Sequence, residues 1–211
     1  MKKLLALAAA CMLNSYVFAQ DEILLPQPST NISMTLVEAL RQRHSERSFA
    51  DKAVSNDVLA QILWAACGIN RPDQGKITAP SAINAQDIKV YVCSQDGAFL
   101  YQPKDNKLIK VSEEDLRPLI AGPQAFAASA PLSLLLVSDH RQFGDHRRGT
   151  ERTGVVDAGY VSENIALICT ALGLNTVPRM TMDGEALKKA LQLDESADLV
   201  INHPIGYPVG K

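Results

Sequence analysis

The sequence lacks the short motifs that mark several common kinds of catalytic or nucleotide-binding site. It contains no G-x-S-x-G, which presents the nucleophile of many serine hydrolases, and neither a G-x-G-x-x-G nor a Walker loop, which bind nucleotide phosphates. It also contains no C-x-x-C pair. We therefore expect its chemistry to be carried by a group that the protein binds.

The chain has little excess charge of either sign. Its 21 basic and 23 acidic residues give a formal charge of −2, which becomes −4 if Lys2 and Lys3 are removed with a leader. Neither value favours binding to nucleic acid or to an anionic membrane surface. With 211 residues, of which 46% are hydrophobic, the sequence is typical of one globular domain with a buried core.

The N-terminus has the pattern of a secretory signal peptide. Lys2-Lys3 precede an apolar run over 4–13, which is shorter than the roughly 20 residues that a membrane-spanning helix needs. Short residues within 17–19 occupy the positions that a signal peptidase reads. We expect residues 1–19 to be cleaved and the protein to be periplasmic or secreted. A lipoprotein site at Cys11 is less favoured, because the apolar run before it is very short.

Few cysteines remain after such a leader. They are Cys67, Cys93 and Cys169, an odd number, and each lies within an apolar helix or strand pattern. This predicts buried free thiols rather than a disulfide framework.

Apolar periodicity predicts an α+β domain over 35–211, preceded by an extended arm over 20–34. The predicted helices span 35–44, 55–68, 154–173 and 184–191, with a further short helix capped by 112–115. The predicted strands span 88–93, 99–102, 107–111, 132–137, 175–177 and 199–205. We expect the strand over 132–137 to be buried on both faces, and we expect Asp157, Tyr160 and Asn164 to form a polar face on the helix over 154–173.

Between these elements, residues 69–80 are predicted to be turn-rich and residues 140–153 to form a polar loop. The polar loop interleaves basic and acidic residues, so it is either a solvated surface or a mobile cover over a binding site. His140 and His146 lie near aspartates, but their spacing matches no ligand pattern that we trust, and we expect no metal site.

Arg43-His44-Ser45-Glu46-Arg47 follows the first predicted helix and forms the first candidate binding segment. Two guanidinium groups with a hydroxyl between them can wrap a phosphate. Because the C-terminus of a helix repels anions, the side chains must supply the positive field. The alternative is a solvated charged surface. His44 is interpreted as structural rather than catalytic, since a backbone contact would serve equally well at its position.

Two later segments form further candidates. Pro80, Ser81, Asn84 and Gln86 occupy one turn before a strand, and carboxamides suit a heteroaromatic edge with mixed hydrogen-bonding groups, such as a flavin pyrimidine; the alternative is a helix capped by Ser81. Residues 178–180 follow a short strand. There the fixed backbone of Pro178 directs the following amides toward a cleft, where one of them can donate to N5 of a reduced flavin. The alternative is an ordinary strand end. Arg179 either balances charge on the flavin or faces water.

Taken in order, these segments resemble the nitroreductase-like FMN-dependent oxidoreductase family, closest to its SagB/ThcOx-type branch. The resemblance rests on the Arg-His-Ser-x-Arg segment together with the segments 63–72, 79–86, 171–174 and 205–208, and it spans about residues 35–208. It implies an α+β fold with a central, mostly antiparallel sheet flanked by helices. It also implies an intertwined homodimer with two FMN sites at the interface.

The resemblance further implies roles for individual residues. Arg43, Ser45 and Arg47 would hold the FMN phosphate with His44 beside them. Pro80, Ser81, Asn84 and Gln86 would approach the ring and ribityl chain, some from the second subunit, and Pro178, Arg179 and Met180 would lie along the ring near N5. Family members usually continue beyond Gly-Tyr-Pro to a basic residue that reaches the phosphate. Lys211 is expected to take that role, or the phosphate clamp is thinner.

The implied activity is electron transfer through the flavin between a small-molecule donor and an acceptor such as a nitro compound or quinone, with no catalytic side chain assigned. NAD(P)H is not expected outside the inner membrane, so an exported enzyme needs another donor or acts as an oxidase. The alternative is a non-catalytic flavin-binding or flavin-free dimer of the same fold.

Overall fold

The computed structural model describes residues 22–29, 31–145 and 149–210. The predicted leader over 1–19, Cys11, His146 and Lys211 lie outside the described residues. The helices are α1 (Leu36–Gln42), α2 (Asn56–Cys67), α3 (Arg117–Ala121), α4 (Thr150–Ala171) and α5 (Gly184–Ala190). The strands are β1 (Glu22–Leu24), β2 (Ile69–Arg71), β3 (Lys76–Ile77), β4 (Ile88–Ser94), β5 (Gly97–Gln102), β6 (Lys107–Ser112), β7 (Leu132–Asp139), β8 (Asn175–Thr176) and β9 (Ala197–Gly206).

Seven of these strands form one sheet in the order β1-β6-β5-β4-β7-β9-β8. Every neighbouring pair in it is antiparallel. The meander β4-β5-β6 is sequential because Ser94 pairs with Gly97 across a two-residue turn. Gly97 has a φ of 119°, and a Cβ there would lie 2.3 Å from the Ser112 carbonyl oxygen. The predicted α+β fold with a central antiparallel sheet is confirmed.

Strand β7 is the centre of the molecule, and all eight of its residues are buried. Leu134 and Leu136 pack with the apolar faces of α2 and α4, in one core cluster. Leu135 and Val137 point to the other face, where they pack with Ile120 of α3 and residues of α5. Because successive side chains of a strand alternate between faces, a continuous apolar run is what a strand between two helical layers requires.

The starts of α1 and α2 follow their predicted caps. Thr35 Oγ1 accepts from the Glu38 amide at 3.3 Å, and Glu38 Oε2 accepts from the Thr35 amide at 2.8 Å, which completes a capping box at α1. Ser55 Oγ accepts from the Val58 amide at 3.4 Å at the start of α2. Cys67, Cys93 and Cys169 are free and buried, as predicted.

Several predicted boundaries were wrong. Part of the polar loop is helical, because α4 begins at Thr150 and residues 140–143 form a 3₁₀ turn. The polar residues at the start of α4 carry no apolar periodicity, so this turn was missed. Helix α3 begins only at Arg117, where Asp115 Oδ1 accepts from the Arg117 amide at 3.0 Å.

Two short strand pairs were also missed. The arm contributes β1, whose partner β6 lies more than 80 residues further along the chain. The turn-rich segment contains the small hairpin of β2 and β3. Strands of two or three residues carry too little alternation to be recognised without their partners. Among the described residues, no helix is long and apolar enough to cross a membrane.

Candidate functional site

The segment over 43–48 leaves α1 and runs beside β8. The Glu46 amide donates to the Thr176 carbonyl at 3.0 Å, and Asn175 Nδ2 donates to the Ser48 carbonyl at 2.8 Å. These bonds anchor the backbone of the segment to the sheet. Because these bonds pair the segment with β8, the chain stays extended here although it has just left a helix.

The two arginines of this segment keep their guanidinium groups accessible. Arg43 Nε lies 4.0 Å from Glu163 Oε1 of α4, a distant pair between partly exposed side chains. Arg47 is exposed and its guanidinium carbon lies 6.0 Å from the centroid of the Phe126 ring. Ser45 between them is exposed as well. The arrangement combines a fixed backbone with donors that face solvent, as a binding site for an anion requires.

His44 makes local contacts. Its Nδ1 lies 2.6 Å from the Gln42 carbonyl oxygen, and its Nε2 lies 3.0 Å from Glu46 Oε1. Both partners are within two residues, so the ring ties the end of α1 to the segment that follows. This agrees with the structural interpretation of His44.

The segment over 178–180 alternates like an edge strand. Pro178 and Met180 are exposed, whereas Arg179 between them is buried. The Arg179 amide donates to the Asn202 carbonyl at 2.9 Å and the Asn202 amide donates back to the Arg179 carbonyl at 2.7 Å. Pro178 and Met180 therefore face outward, and Met180, at 68% exposure, is among the most exposed large apolar side chains.

One of the two predicted alternatives for the Arg179 side chain, that it faces water, was wrong. Arg179 is 7% exposed, and its guanidinium group donates to the carbonyl oxygens of Ile120 and Ala121, at 3.2 and 2.8 Å. It also donates to Gln124 Oε1 at 2.8 Å and to Asn202 Oδ1 at 2.7 Å. Burial lowers the pKa of Arg179. This side chain satisfies the last carbonyl groups of α3 instead of facing water.

Phe126 connects the two segments. The Arg47 guanidinium lies over its ring at 6.0 Å, and the Arg179 guanidinium lies over it at 5.5 Å. Because β8 carries residues 43–48 alongside and leads directly into 178–180, the fold brings two of the three predicted segments together on one side of the molecule.

The turn over 80–86 has an unusual backbone. Ile83, Asn84 and Gln86 have φ values of 49°, 58° and 50°. Positive φ is uncommon outside glycine and is a strained outlier for a β-branched residue such as Ile83. Ile83 is 65% exposed, so the strained backbone holds this apolar side chain in a defined position at the surface.

Hydrogen bonds within and beyond the turn maintain this shape. Ser81 Oγ accepts from the Gln86 amide at 2.9 Å, which replaces the predicted alternative of an ordinary helix cap. Gln86 Nε2 donates to the Gly75 carbonyl at 2.9 Å, so its carboxamide supports the turn from within. Asn84 remains exposed.

Sequence reasoning placed Asp157 on a polar helix face but missed its contact with the turn. Asp157 Oδ2 accepts from the Ala82 amide at 3.0 Å, across 75 residues of chain. A cleft of about 430 Å³ lies between α4 and the turn. It is lined by Pro80, Ser81, Ala82, Arg152, Thr153, Val156, Asp157 and Tyr160. In the sequence Asp157 follows two valines and precedes an alanine, and an acidic residue in such an apolar stretch was the available signal.

Within one chain the turn and the segment over 43–48 lie at different positions along α4. The turn contacts Asp157, whereas Arg43 faces Glu163. Six residues of helix separate those two positions by about 9 Å. Apolar side chains are exposed on both α1 and α4: Leu36, Val37, Leu40, Val155, Val156 and Tyr160.

Residues 40–207 match the sequence profile of the Nitroreductase family. The chain belongs to the nitroreductase family. A protein provisionally named a nitroreductase in Methanocaldococcus jannaschii is 28% identical over 187 residues, which cover 82% of this chain and 91% of that protein. The FMN reductase [NAD(P)H] of Bacillus subtilis is 29% identical over 188 residues, covering 80% of this chain and 66% of the relative.

Solved nitroreductase structures share this fold. A provisionally named nitroreductase of Ralstonia eutropha superposes with a TM-score of 0.84 at 31% identity, over 90% of each chain. A structure of the same description from Desulfovibrio desulfuricans, solved in complex with FMN, has a TM-score of 0.62 at 22% identity. It covers 84% of this chain and 88% of the other.

Proposed function

We propose that this nitroreductase is an FMN-dependent oxidoreductase that transfers electrons through bound flavin between a small-molecule donor and an acceptor such as a nitro compound or a quinone. The observation that carries this proposal is the anchored segment with two accessible arginines, beside the exposed Pro178 and Met180. A relative named as an FMN reductase and a neighbour solved with FMN support the choice of flavin.

The residues present fit a phosphorylated flavin. Arg43, Ser45 and Arg47 supply two charged forks and a hydroxyl to the phosphate, and the attachment of their backbone to β8 keeps them in place without using their side chains. The backbone of Met180, next to Pro178, would border the flavin ring. Bound FMN supplies hydride and electron transfer at its ring, and the protein supplies orientation, charge and exclusion of water.

The active protein is proposed to be a homodimer. The phosphate-binding segment and residues 178–180 come from one protomer, and Pro80, Ser81 and Asn84 of the strained turn come from its partner. Two features support this. The turn and the segment face different positions on α4 within one chain, and the exposed apolar residues of α1 and α4 offer a surface to a second copy.

The protein is further proposed to be exported, on the strength of the signal pattern over 1–19. An electron donor other than NAD(P)H then reduces the flavin. Membership of the SagB/ThcOx-type branch and a contact between Lys211 and the phosphate remain predictions.

Absorbance spectroscopy of the purified protein tests the function. We expect a flavin band at roughly 450 nm, bleaching with dithionite, and return of the band when a nitroaromatic compound or a quinone is added. A colourless protein that cannot be reconstituted with FMN would refute the proposal. Light scattering on the same sample tests the dimer, and cell fractionation together with N-terminal sequencing tests export and cleavage before Gln20.

A further inference from the structure

Two buried carboxyl groups meet directly behind the strained turn. Asp87, immediately before β4, is 0% exposed and Asp157 of α4 is 2% exposed. The hydrogen bond and the charge of Asp157 both raise the pKa of Asp87, so the two carboxyl groups interact. In the described part of the chain, neither forms a salt bridge, and Asp87 Oδ1 has no hydrogen-bond donor. Burying two acidic groups without a cation requires another means of neutralisation.

The close approach of α4 to the sheet allows this contact. Gly154 lies one turn before Asp157, and a Cβ on it would come within 2.2 Å of Ser138 Oγ and 3.4 Å of Asp87 Oδ2. Ser138 Oγ donates to Asp87 Oδ2 at 2.6 Å. A side chain at position 154 would push the helix, and Asp157 with it, away from Asp87.

A shared proton satisfies this geometry. Two carboxylates in contact do not both ionise at low cost, and one retains its proton. Burial, followed by the hydrogen bond and charge of Asp157, raises the pKa of Asp87 to about 6, while the Ser138 hydroxyl acts in the opposite direction. The proton that Asp87 retains keeps its negative charge out of this part of the interior.

Other charged groups on the surrounding elements are engaged elsewhere or lie toward solvent. Lys89 of β4 donates to the Gln86 carbonyl at 3.4 Å, and Asp139 of β7 binds Arg141 at 2.8 Å. Arg152 of α4 lines the cleft outside Asp157. Among the residues that the structure describes, the Ser138 hydroxyl and the Ala82 amide donate to the pair.

The Asp157 side chain fastens the first end of the turn, and the backbone of Asp87 fastens the other. Asp157 Oδ2 accepts from the Ala82 amide at the first end, and the Asp87 carbonyl accepts from the Asp139 amide at 3.0 Å at the other. Ile83, Asn84 and Gln86, which have positive φ, lie between these two points. Strained backbone persists only where the surrounding structure determines its conformation.

We propose that Asp87 and Asp157 act as a proton-sharing positioning pair that holds the strained turn over 81–86 in the shape that borders the flavin. The flavin part of this inference rests on the proposed function. Loss of the shared proton places a second negative charge in the interior, separates the carboxylates and releases the Ala82 amide. The turn therefore loosens as the pH rises through about 6.

Infrared spectroscopy tests the proton without reference to flavin. The wild-type protein is expected to show the carbonyl band of a protonated carboxylic acid that titrates near pH 6, and Asp87→Asn is expected to lack it. Ser138→Ala removes a bond that favours the ionised form, so the band should persist to higher pH. Glu114→Gln, at an exposed carboxylate, is the matched control and should leave the band unchanged. A wild-type protein without this band overturns the shared proton.

Hydrogen exchange at the Ala82 amide tests positioning. In Asp87→Asn, the side-chain amide donates to Asp157 in place of the shared proton and does not titrate. Protection of the Ala82 amide should therefore equal that of the wild type at pH 5 and stay constant up to pH 8. In Asp87→Ala, protection should fall by about tenfold or more, the scale of a lost charged hydrogen bond. Should Asp87→Ala fail to fold, Ser138→Ala decides, since it should keep Ala82 protected to higher pH than wild type. Unchanged protection in the variant that is measured overturns the positioning role.

Titration with FMN separates this inference from the proposed function. Asp87→Ala should raise the Kd for FMN by about tenfold, and Asp87→Asn should leave it within about threefold. If the infrared and exchange results are as expected but the wild-type protein never binds FMN, the proposed flavoenzyme function is refuted and the proton-sharing pair is retained. Normal FMN binding by Asp87→Ala would refute the link between the pair and the flavin.

Discussion

The segment over 43–48 and the turn over 80–86 are supported by the fold in opposite ways. The segment is tied by its backbone to β8, and its arginine side chains are left accessible. The turn presents its backbone and Asn84, and it is held from behind by Asp157 and by the start of β4. One region offers charge, and the other offers a fixed shape.

The difference explains how each region fails. Charge recognition depends on a few exposed donors, so a substitution in the segment should weaken ligand binding without unfolding the protein. The shape of the turn depends on packing between α4 and β7, so substitutions far along the chain should affect both stability and binding. Four predictions separate these cases.

The largest effect is expected from Arg179→Met. The substitution leaves buried acceptors on Ile120, Ala121 and Asn202 without their donor, so the free energy of unfolding should fall by about 3 kcal/mol or more. Urea denaturation measures this. Arg47→Met, which alters the exposed arginine on the same Phe126 ring, should change stability by less than about 0.5 kcal/mol. Equal stability of the two variants would contradict the structural role of Arg179.

Arg43→Ala should weaken FMN binding by about 1.5–3 kcal/mol, because it removes a charged hydrogen-bond donor to the phosphate. Fluorescence titration with FMN measures the change. Arg41→Ala is the matched control, since Arg41 is exposed on the last turn of α1 and outside the segment. If both variants retain FMN like wild type, the phosphate assignment is wrong.

Gly154→Ala should destabilise the protein by about 1–3 kcal/mol, because the new Cβ overlaps the Ser138 side chain. Gly159→Ala on the same helix meets nothing within 4 Å and should stabilise it by about 0.5–1 kcal/mol through helix propensity. Thermal unfolding of both variants tests whether Gly154→Ala is destabilised and Gly159→Ala is stabilised. Adding Ser138→Gly should restore part of the loss in Gly154→Ala, and a lack of rescue would place the strain elsewhere.

The smallest expected effect, per pH unit, concerns His203, which contacts Thr176 of the strand that supports the segment over 43–48. His203 is buried between Ser162 Oγ at 2.7 Å and Thr176 Oγ1 at 3.1 Å, and burial lowers its pKa to about 3. The unfolded chain binds a proton at this histidine below about pH 6.5, whereas the folded protein does not. Stability is therefore fully present above pH 6.5 and is lost as the pH falls, by up to about 1.4 kcal/mol per unit.

Replacing the histidine isolates its share of that slope. His203→Gln should flatten the dependence of the unfolding free energy between pH 6.5 and 4.5, measured by urea denaturation at each pH. An unchanged slope would assign the acid sensitivity to other groups.

The elements that carry their own local signal were predicted well. The capping box at Thr35, the cap at Ser55, the meander over β4-β5-β6 and the doubly buried β7 follow from short-range patterns. The arginine segment was visible for the same reason, because its residues are consecutive. The first turn of α4 and the strands β1 to β3 were missed, since their order comes from distant partners.

The site shows the same division. Arg179 was read as a ligand-facing or solvated cation because nothing near it in sequence reveals that α3 ends beside it with free carbonyl groups. The contact of Asp87 with Asp157 spans 70 positions and depends on a glycine that lets a helix approach a strand.

The sequence by itself determined the α+β layering, the buried thiols and the accessible arginines, since periodicity, caps and charge act over a few residues. Only the tertiary structure decided which arginine is buried, which turn is strained and where two acids meet. The physical reason is that burial and proximity set hydrogen-bond partners and pKa values, and both arise only when distant segments pack together.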